Sequence, residues 1–194
     1  MNVEQLQKTL RASQYAEQVL GIHRSLIDQD YAIDQFLAPL STEQIHTYVT
    51  TALDQIQDEA TWMRALRTLR ARLMFRWIWQ DANQLTDVIT LTKELSDFAD
   101  VAICVAKAFA YAPLVAKHGE PVGYNGAIQS LIVIAMGKLG AQELNLSSDI
   151  DLIFAFDEQG ETNGRKCIDV QQFCILWGQK LIYLLDHITA DGFV

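Results

Sequence analysis

MGKLGAQELNLSSDIDLIFAF, from Met136 to Phe156, is the stretch that decides how this chain is read. It opens at the end of an apolar run, Leu131-Ile132-Val133-Ile134-Ala135-Met136, the pattern of a strand buried on both faces. A glycine turn at Gly137 and Gly140 follows, with a short helix expected around Glu143 and Leu144. From Asp149 to Phe156 the chain alternates: Asp149, Asp151, Ile153 and Ala155 on one side, and Ile150, Leu152, Phe154 and Phe156 on the other. Residues two apart on a strand share a face, so the Asp149 and Asp151 carboxylates are expected to converge.

Two like charges held together repel unless a cation sits between them. Hard divalent ions such as Mg²⁺ or Mn²⁺ prefer such oxygen ligands, and a pair of them about 4 Å apart can clamp the attacking and leaving oxygens of a phosphoryl or nucleotidyl transfer. Backbone N–H groups at the Gly137 turn can hold phosphate, and Lys138 adds positive charge. The turn lacks the spacing of a Walker A loop. Asp151 is followed by Leu152-Ile153, which excludes an EF-hand. Two acids on a strand also fit a plain solvent-facing edge, and the glycine turn upstream weighs against that reading.

Outward from this segment, glycine divides the chain. Only Gly21 precedes residue 119, and nine glycines follow from Gly119 onward. The first 118 residues are therefore expected to be mainly helical. Met63, Leu66, Leu69, Leu73 and Trp77 recur at helical steps, a second long helical segment runs from about Thr86 to Lys117, and Ser41 is a candidate N-cap. The stretch HGEPVGYNG, His118 to Gly126, reads as a linker, and Asp157 to Lys166 as an exposed loop. A last helix is expected from about Asp169 to Ile188, with Val170, Phe173, Cys174, Trp177, Leu181, Leu184 and Leu185 on its apolar face.

Composition limits the function classes. The 194 residues carry 15 Lys and Arg against 24 Asp and Glu, a net charge of −9, which argues against a nucleic-acid surface. Cys104, Cys167 and Cys174 form no CxxC pair and read as buried free thiols. His23, His46, His118 and His187 have no metal-ligand spacing, and no Ser, Cys or Thr has the context of a nucleophile. The N-terminus lacks a signal-peptide core, and apolar runs such as Leu131 to Met136 are too short for a membrane, so a cytoplasmic protein without membrane contact is expected. Arg64, Arg67, Arg70, Arg72 and Arg76 stud one helix, either as a basic ridge for phosphate or an acidic partner, or as a solvated face paired with acids. Trp62, Trp77 and Trp79 are expected in the core or at a domain interface.

The order strand, glycine turn, short helix, acidic-pair strand resembles the nucleotidyltransferase superfamily of DNA polymerase beta. In that superfamily a glycine turn stands a short way upstream of the acidic pair, and here Gly137 and Asp149 are twelve positions apart. More closely, residues 131–194 resemble the N-terminal part of the bifunctional glutamine synthetase adenylyltransferase/adenylyl-removing family, whose motif reads GKLGGxELNxSSDIDLIF and is followed after a helix by T-x-DGFV. Glu143-Leu144-Asn145 and Thr189-Ala190-Asp191-Gly192-Phe193-Val194 fit, and Ala141 replaces the usual second glycine. The likeness is weaker over the arginine-rich helix and Leu95-Ser96-Asp97-Phe98-Ala99-Asp100.

The resemblance implies an α+β, predominantly helical fold. A helical region (1–118) and a linker (119–126) would precede an incomplete nucleotidyltransferase core (127–194) with a small mixed β-sheet. It implies Mg²⁺ or Mn²⁺ on Asp149 and Asp151, with Gly137, Lys138 and Ser148 near the phosphates. The activity implied is adenylyl removal: phosphate attacks the AMP phosphorus on the modified tyrosine of glutamine synthetase and releases ADP. Because residues 119–194 carry four basic against ten acidic side chains, phosphate needs cations there. The family's third carboxylate lies just beyond DGFV, so a fragment with little turnover alone is expected. Two alternatives are a non-catalytic module docking a PII-type regulator, and another nucleotidyltransferase of the superfamily.

Overall fold

With Gly21, Pro39 and Pro113 as its only glycine and prolines, the first 118 residues have little to interrupt helices. The computed structural model describes residues 3–31, 38–189 and 194. It places α1 (Val3–Ala12), α2 (Gln14–Tyr31), α3 (Thr42–Leu53), α4 (Glu59–Ala82) and α5 (Val88–His118) ahead of β1 (Pro121–Gly123), β2 (Ile132–Ala135), α6 (Gly137–Gly140), β3 (Leu152–Ala155), β4 (Gly160–Thr162) and α7 (Val170–Asp186). The fold is α+β and mainly helical. Of the expected TxDGFV segment, residues 190–193 lie outside the described residues.

The helix starts share one chemistry. Ser41 accepts from the Gln44 N–H while Gln44 accepts from the Ser41 N–H, a complete capping box. Asp58, Asp87 and Asp169 accept from the N–H groups of Thr61, Thr90 and Gln172. In α4, Met63, Leu66, Leu69, Leu73 and Trp77 are buried as their spacing predicts, and Trp62 and Trp79 join them in the core.

Burial in α4 goes further than one stripe and corrects both readings for two of its five arginines, while Arg64 is exposed and Arg70 and Arg72 are half-buried. Arg67 and Arg76 are 1% and 0% exposed. Arg76 Nη1 lies 2.5 Å from Glu94 Oε2 on α5, and its Nη2 donates to the Ala38 carbonyl. Glu94 also accepts from Trp77 Nε1 and the Leu40 N–H. Arg67 donates to the His187 carbonyl just past α7. These guanidiniums neither ride in solvent nor form an open ridge; they tie α4 to its neighbours. The physical reason is the run Leu73 to Trp79, which is apolar on every side but Arg76 and so offers no solvent face.

α5 corrects the reading of membrane length, because by length and composition it is apolar enough to cross one. It packs against α3 and α7 and carries buried Glu94, Ser96 and Asp97, which marks it as a core helix. The cysteine expectation holds for Cys174 alone; Cys104 and Cys167 are exposed.

The sheet expected to be mixed is, among the described residues, two antiparallel pairs, β1 with β4 and β2 with β3. β4 lies inside the stretch read as an exposed loop, with Gly160 and Thr162 buried. It pairs with β1, inside the stretch read as a linker. Gly164 N–H donates to His118 O, Asn163 N–H to Glu120 O, and Glu120 N–H to the Asn163 side chain. Gly119, at φ +82°, comes so close to Gly164 that a Cβ would sit 2.3 Å from the Gly164 nitrogen.

β2 is covered on one face only, not on both. Val133 stands opposite Phe154, and the Phe154 ring rests on α7 at Gly178. On the other face Ile134 stands opposite Ile153, and Ile132, Ile134 and Ile153 are 45–49% exposed.

Candidate functional site

The site grows from the end of the β2–β3 pair. β3 begins at Leu152, three residues later than the alternation suggested, so Asp149 and Asp151 stand just ahead of it. The ladder nevertheless reaches Asp151, whose carbonyl accepts from the Met136 N–H at 2.9 Å. Asp149 and Asp151 are both exposed and Ile150 between them is half-buried, the alternation of an extended segment.

Across from them the chain turns sharply. Gly137 has φ +55°, a left-handed conformation that suits glycine, and a Cβ there would stand 3.7 Å from Asp151 Oδ2. The short helix forms here, at Gly137–Gly140, and not around Glu143 as expected. It fits because Gly140 passes over the end of β2, where a Cβ would meet the Ala135 carbonyl oxygen at 2.6 Å. Gln142, at φ +58°, ends the turn.

Lys138 and Ser148 are brought together: Lys138 Nζ donates to Ser148 Oγ at 3.2 Å. The centre of this small network is Asn145. Its Oδ1 accepts from Ser148 Oγ at 2.6 Å and from the Ser147 N–H at 3.2 Å. Gly137, Lys138, Ser148 and Asp151 thus surround one turn. Asp149 lies at the rim of a cavity of about 390 Å³ between α4, α5, α7 and the 144–154 segment, lined among others by Arg70, Phe98, Leu144, Ser148 and Leu181. Burial pulls the Arg70 guanidinium below the usual arginine range, against the opposing influence of Tyr15.

The sequence alone assigns no role to Asn145, Gln142, Ser96 or Asp100. Leu144 N–H donates to Ser96 Oγ, and Gln142 Nε2 donates to Asp100 Oδ2, so the loop after α6 is tied to α5. The signal was present, since ELN and LSDFAD were both among the matched residues, but neither stretch has a period or a charge pattern that discloses a contact across 42 to 48 residues of chain.

As a cation site, the arrangement offers two exposed carboxylates, and their hard oxygens fit Mg²⁺ or Mn²⁺. Among the described residues no cluster of three His, Cys, Asp or Glu side chains forms around them.

The sequence model of the family described as "Glutamate-ammonia ligase adenylyltransferase" matches residues 3–194. Three similar proteins all bear the name bifunctional glutamine synthetase adenylyltransferase/adenylyl-removing enzyme. One from Acinetobacter baylyi is 79% identical over the whole chain, which covers 21% of that protein. One from Thioalkalivibrio sulfidiphilus is 46% identical over 80% of the chain and 16% of its own length. One from Hahella chejuensis is 46% identical over 82% of the chain and 16% of its length. The chain thus spans about a fifth of the length of the curated relatives it matches.

Proposed function

The chain belongs to the glutamate-ammonia ligase adenylyltransferase family, and on that footing we propose that it carries the nucleotide-transfer site of an adenylyl-removing enzyme acting on glutamine synthetase in the cytoplasm. In this reaction an oxygen of inorganic phosphate bonds to the phosphorus of the tyrosine-linked AMP. The bond from that phosphorus to the tyrosine oxygen breaks, ADP leaves, and the phenolate takes up a proton. The observation that carries the reading is the meeting of Asp151, Gly137, Lys138 and Ser148 at one turn, with Asp149 beside it.

Each residue has a physical task. Asp149 and Asp151 would hold a divalent cation, which when bound supplies the positive charge that neutralises phosphate oxygens. Lys138 adds a cation on the same turn, and its bond to Ser148 ties the ammonium to the residue that precedes Asp149. Gly137 keeps the approach to Asp151 free of side chain. The site lies in the acidic part of the chain, so an anion enters only with cations.

The test is ADP release from adenylylated glutamine synthetase with phosphate and Mg²⁺, using this chain and one extended toward the length of its relatives. Asp149→Asn is expected to abolish release in whichever chain is active. Release that survives Asp149→Asn would overturn the site. Release abolished, with retained binding of glutamine synthetase, separates catalysis from docking. A module that only docks a PII-type regulator would release no ADP in any of these chains.

A further inference from the structure

We propose that Ser96 and Asp100, one turn apart on α5, are positioning residues that clamp the loop carrying Lys138, Asn145 and Ser148 and so hold the site in register. The inference rests on the reading of Asp149 and Asp151 as cation ligands, and it assigns a role to two residues that touch neither of them.

The loop from Ala141 to Ser148 has no regular structure of its own to fix it. Its anchor is Leu144, buried at 7% exposure, whose N–H donates to the fully buried Ser96 hydroxyl at 3.1 Å. Ser96 in turn donates to the Thr92 carbonyl, so its oxygen is held by α5 with a lone pair turned to the loop. One turn on, Asp100 Oδ2 accepts from Gln142 Nε2 at 2.9 Å. That contact holds Gln142 in the left-handed conformation, φ +58°, that ends the α6 turn. Both grips fall on one face of α5, as positions four apart must.

From the clamp the linkage runs to the chemistry without a gap. Asn145 directly follows Leu144 and accepts from Ser147 and Ser148. Ser148 accepts from Lys138 and directly precedes Asp149. On the same stretch of α5, Glu94 and Asp97 are engaged elsewhere, with Arg76 and Leu40 and with Thr42. Ser96 and Asp100 are therefore the pair that α5 commits to the loop. A buried N–H left without its acceptor is costly, so losing Ser96 Oγ frees Leu144.

The experiment uses the whole chain with Ser96→Ala, Asp100→Ala and Asp100→Asn, the last keeping an acceptor oxygen for Gln142. Two quantities are read: amide hydrogen exchange of the 141–148 segment against α7 and β2–β3, and Mn²⁺ affinity by titration. Ser96→Ala and Asp100→Ala are expected to speed exchange of 141–148 and weaken Mn²⁺ binding, each by about tenfold, with α7 protection unchanged and Asp100→Asn close to the unaltered chain. If Ser96→Ala does not fold, the two Asp100 variants decide the matter. Unchanged loop exchange in the alanine variants overturns the clamp. Faster exchange with unchanged Mn²⁺ affinity overturns the positioning role. If the unaltered chain binds no Mn²⁺ that Asp151→Asn removes, the cation reading fails and the positioning role falls with it. Exchange still decides the clamp.

Discussion

Gly137 faces Asp151 so closely that a single methyl group on the glycine would stand 3.7 Å from the carboxylate Oδ2. The contact itself is an ordinary one, but the backbone at φ +55° is not. An L side chain there costs about 1–2 kcal/mol, and the strain is local to the turn. Gly137→Ala is therefore expected to lower Mn²⁺ affinity while shifting the melting temperature by only a few degrees. Calorimetric melting beside a Mn²⁺ titration checks it, and a variant that binds Mn²⁺ normally would refute it.

The buried pair of Arg76 and Glu94 predicts an asymmetric outcome. Glu94→Gln takes the Glu94 carboxylate away from a fully buried guanidinium and should destabilise the chain by about 3–5 kcal/mol. Adding Arg76→Met removes the buried guanidinium itself, while the Gln carbonyl can still accept from Trp77 and Leu40. The double variant should be more stable than Glu94→Gln alone. Urea denaturation of the variants decides the order.

Two helical glycines should respond with opposite signs. In α7, a Cβ at Gly178 would meet the Phe154 ring at 3.1 Å, so Gly178→Ala must displace the ring, and that overpacking cost of about 1–3 kcal/mol is expected to exceed the helix-propensity gain of about 0.5–1 kcal/mol. In α2, a Cβ at Gly21 meets nothing within 4 Å, and Gly21→Ala should gain about 0.5–1 kcal/mol from helix propensity. Thermal melts of the two variants should move in opposite directions.

Alkali should destabilise the fold through two named groups. Burial pushes the Cys174 thiol up to about 11, against the opposing influence of Lys107. The Tyr111 hydroxyl is raised by burial and by its hydrogen bond to Glu120. In each case the folded form keeps a proton that the unfolded chain releases, so stability is full below the unfolded value and lost as pH climbs toward the folded one. Loss from Cys174 should fall between about pH 9 and 11, and loss from Tyr111 above about pH 10. Cys174→Ala should flatten the first part of the melting-temperature profile and Tyr111→Phe the second.

The parts of this fold that were legible in the sequence are those in which a repeat, a cap or a motif states its own geometry. The α7 face from Val170 to Leu185 is buried at every position its spacing names. Ser41 caps α3 because its hydroxyl reaches the Gln44 N–H, a local event. Lys138 and Ser148, chosen by motif alone, meet in space. What escaped depended on distant partners. β1 and β4 have three residues each, too few to show a period, and exist because His118 to Glu120 and Asn163-Gly164 stitch them together. Arg67 and Arg76 looked like surface charges because arginine usually is one; only the apolar crowd around them in α4 said otherwise.

The buried pair of Arg76 and Glu94 also bears on the order of events during synthesis. Arg76 leaves the ribosome eighteen residues ahead of Glu94, so the buried ion pair that joins α4 to α5 can form only after α5 has begun to emerge. The closed packing of α4 on α5 therefore comes after α5 has emerged. A stall between residues 82 and 94 would leave α4 without the Glu94 carboxylate that its buried arginine meets in the finished fold, a species for chaperones and proteases to find.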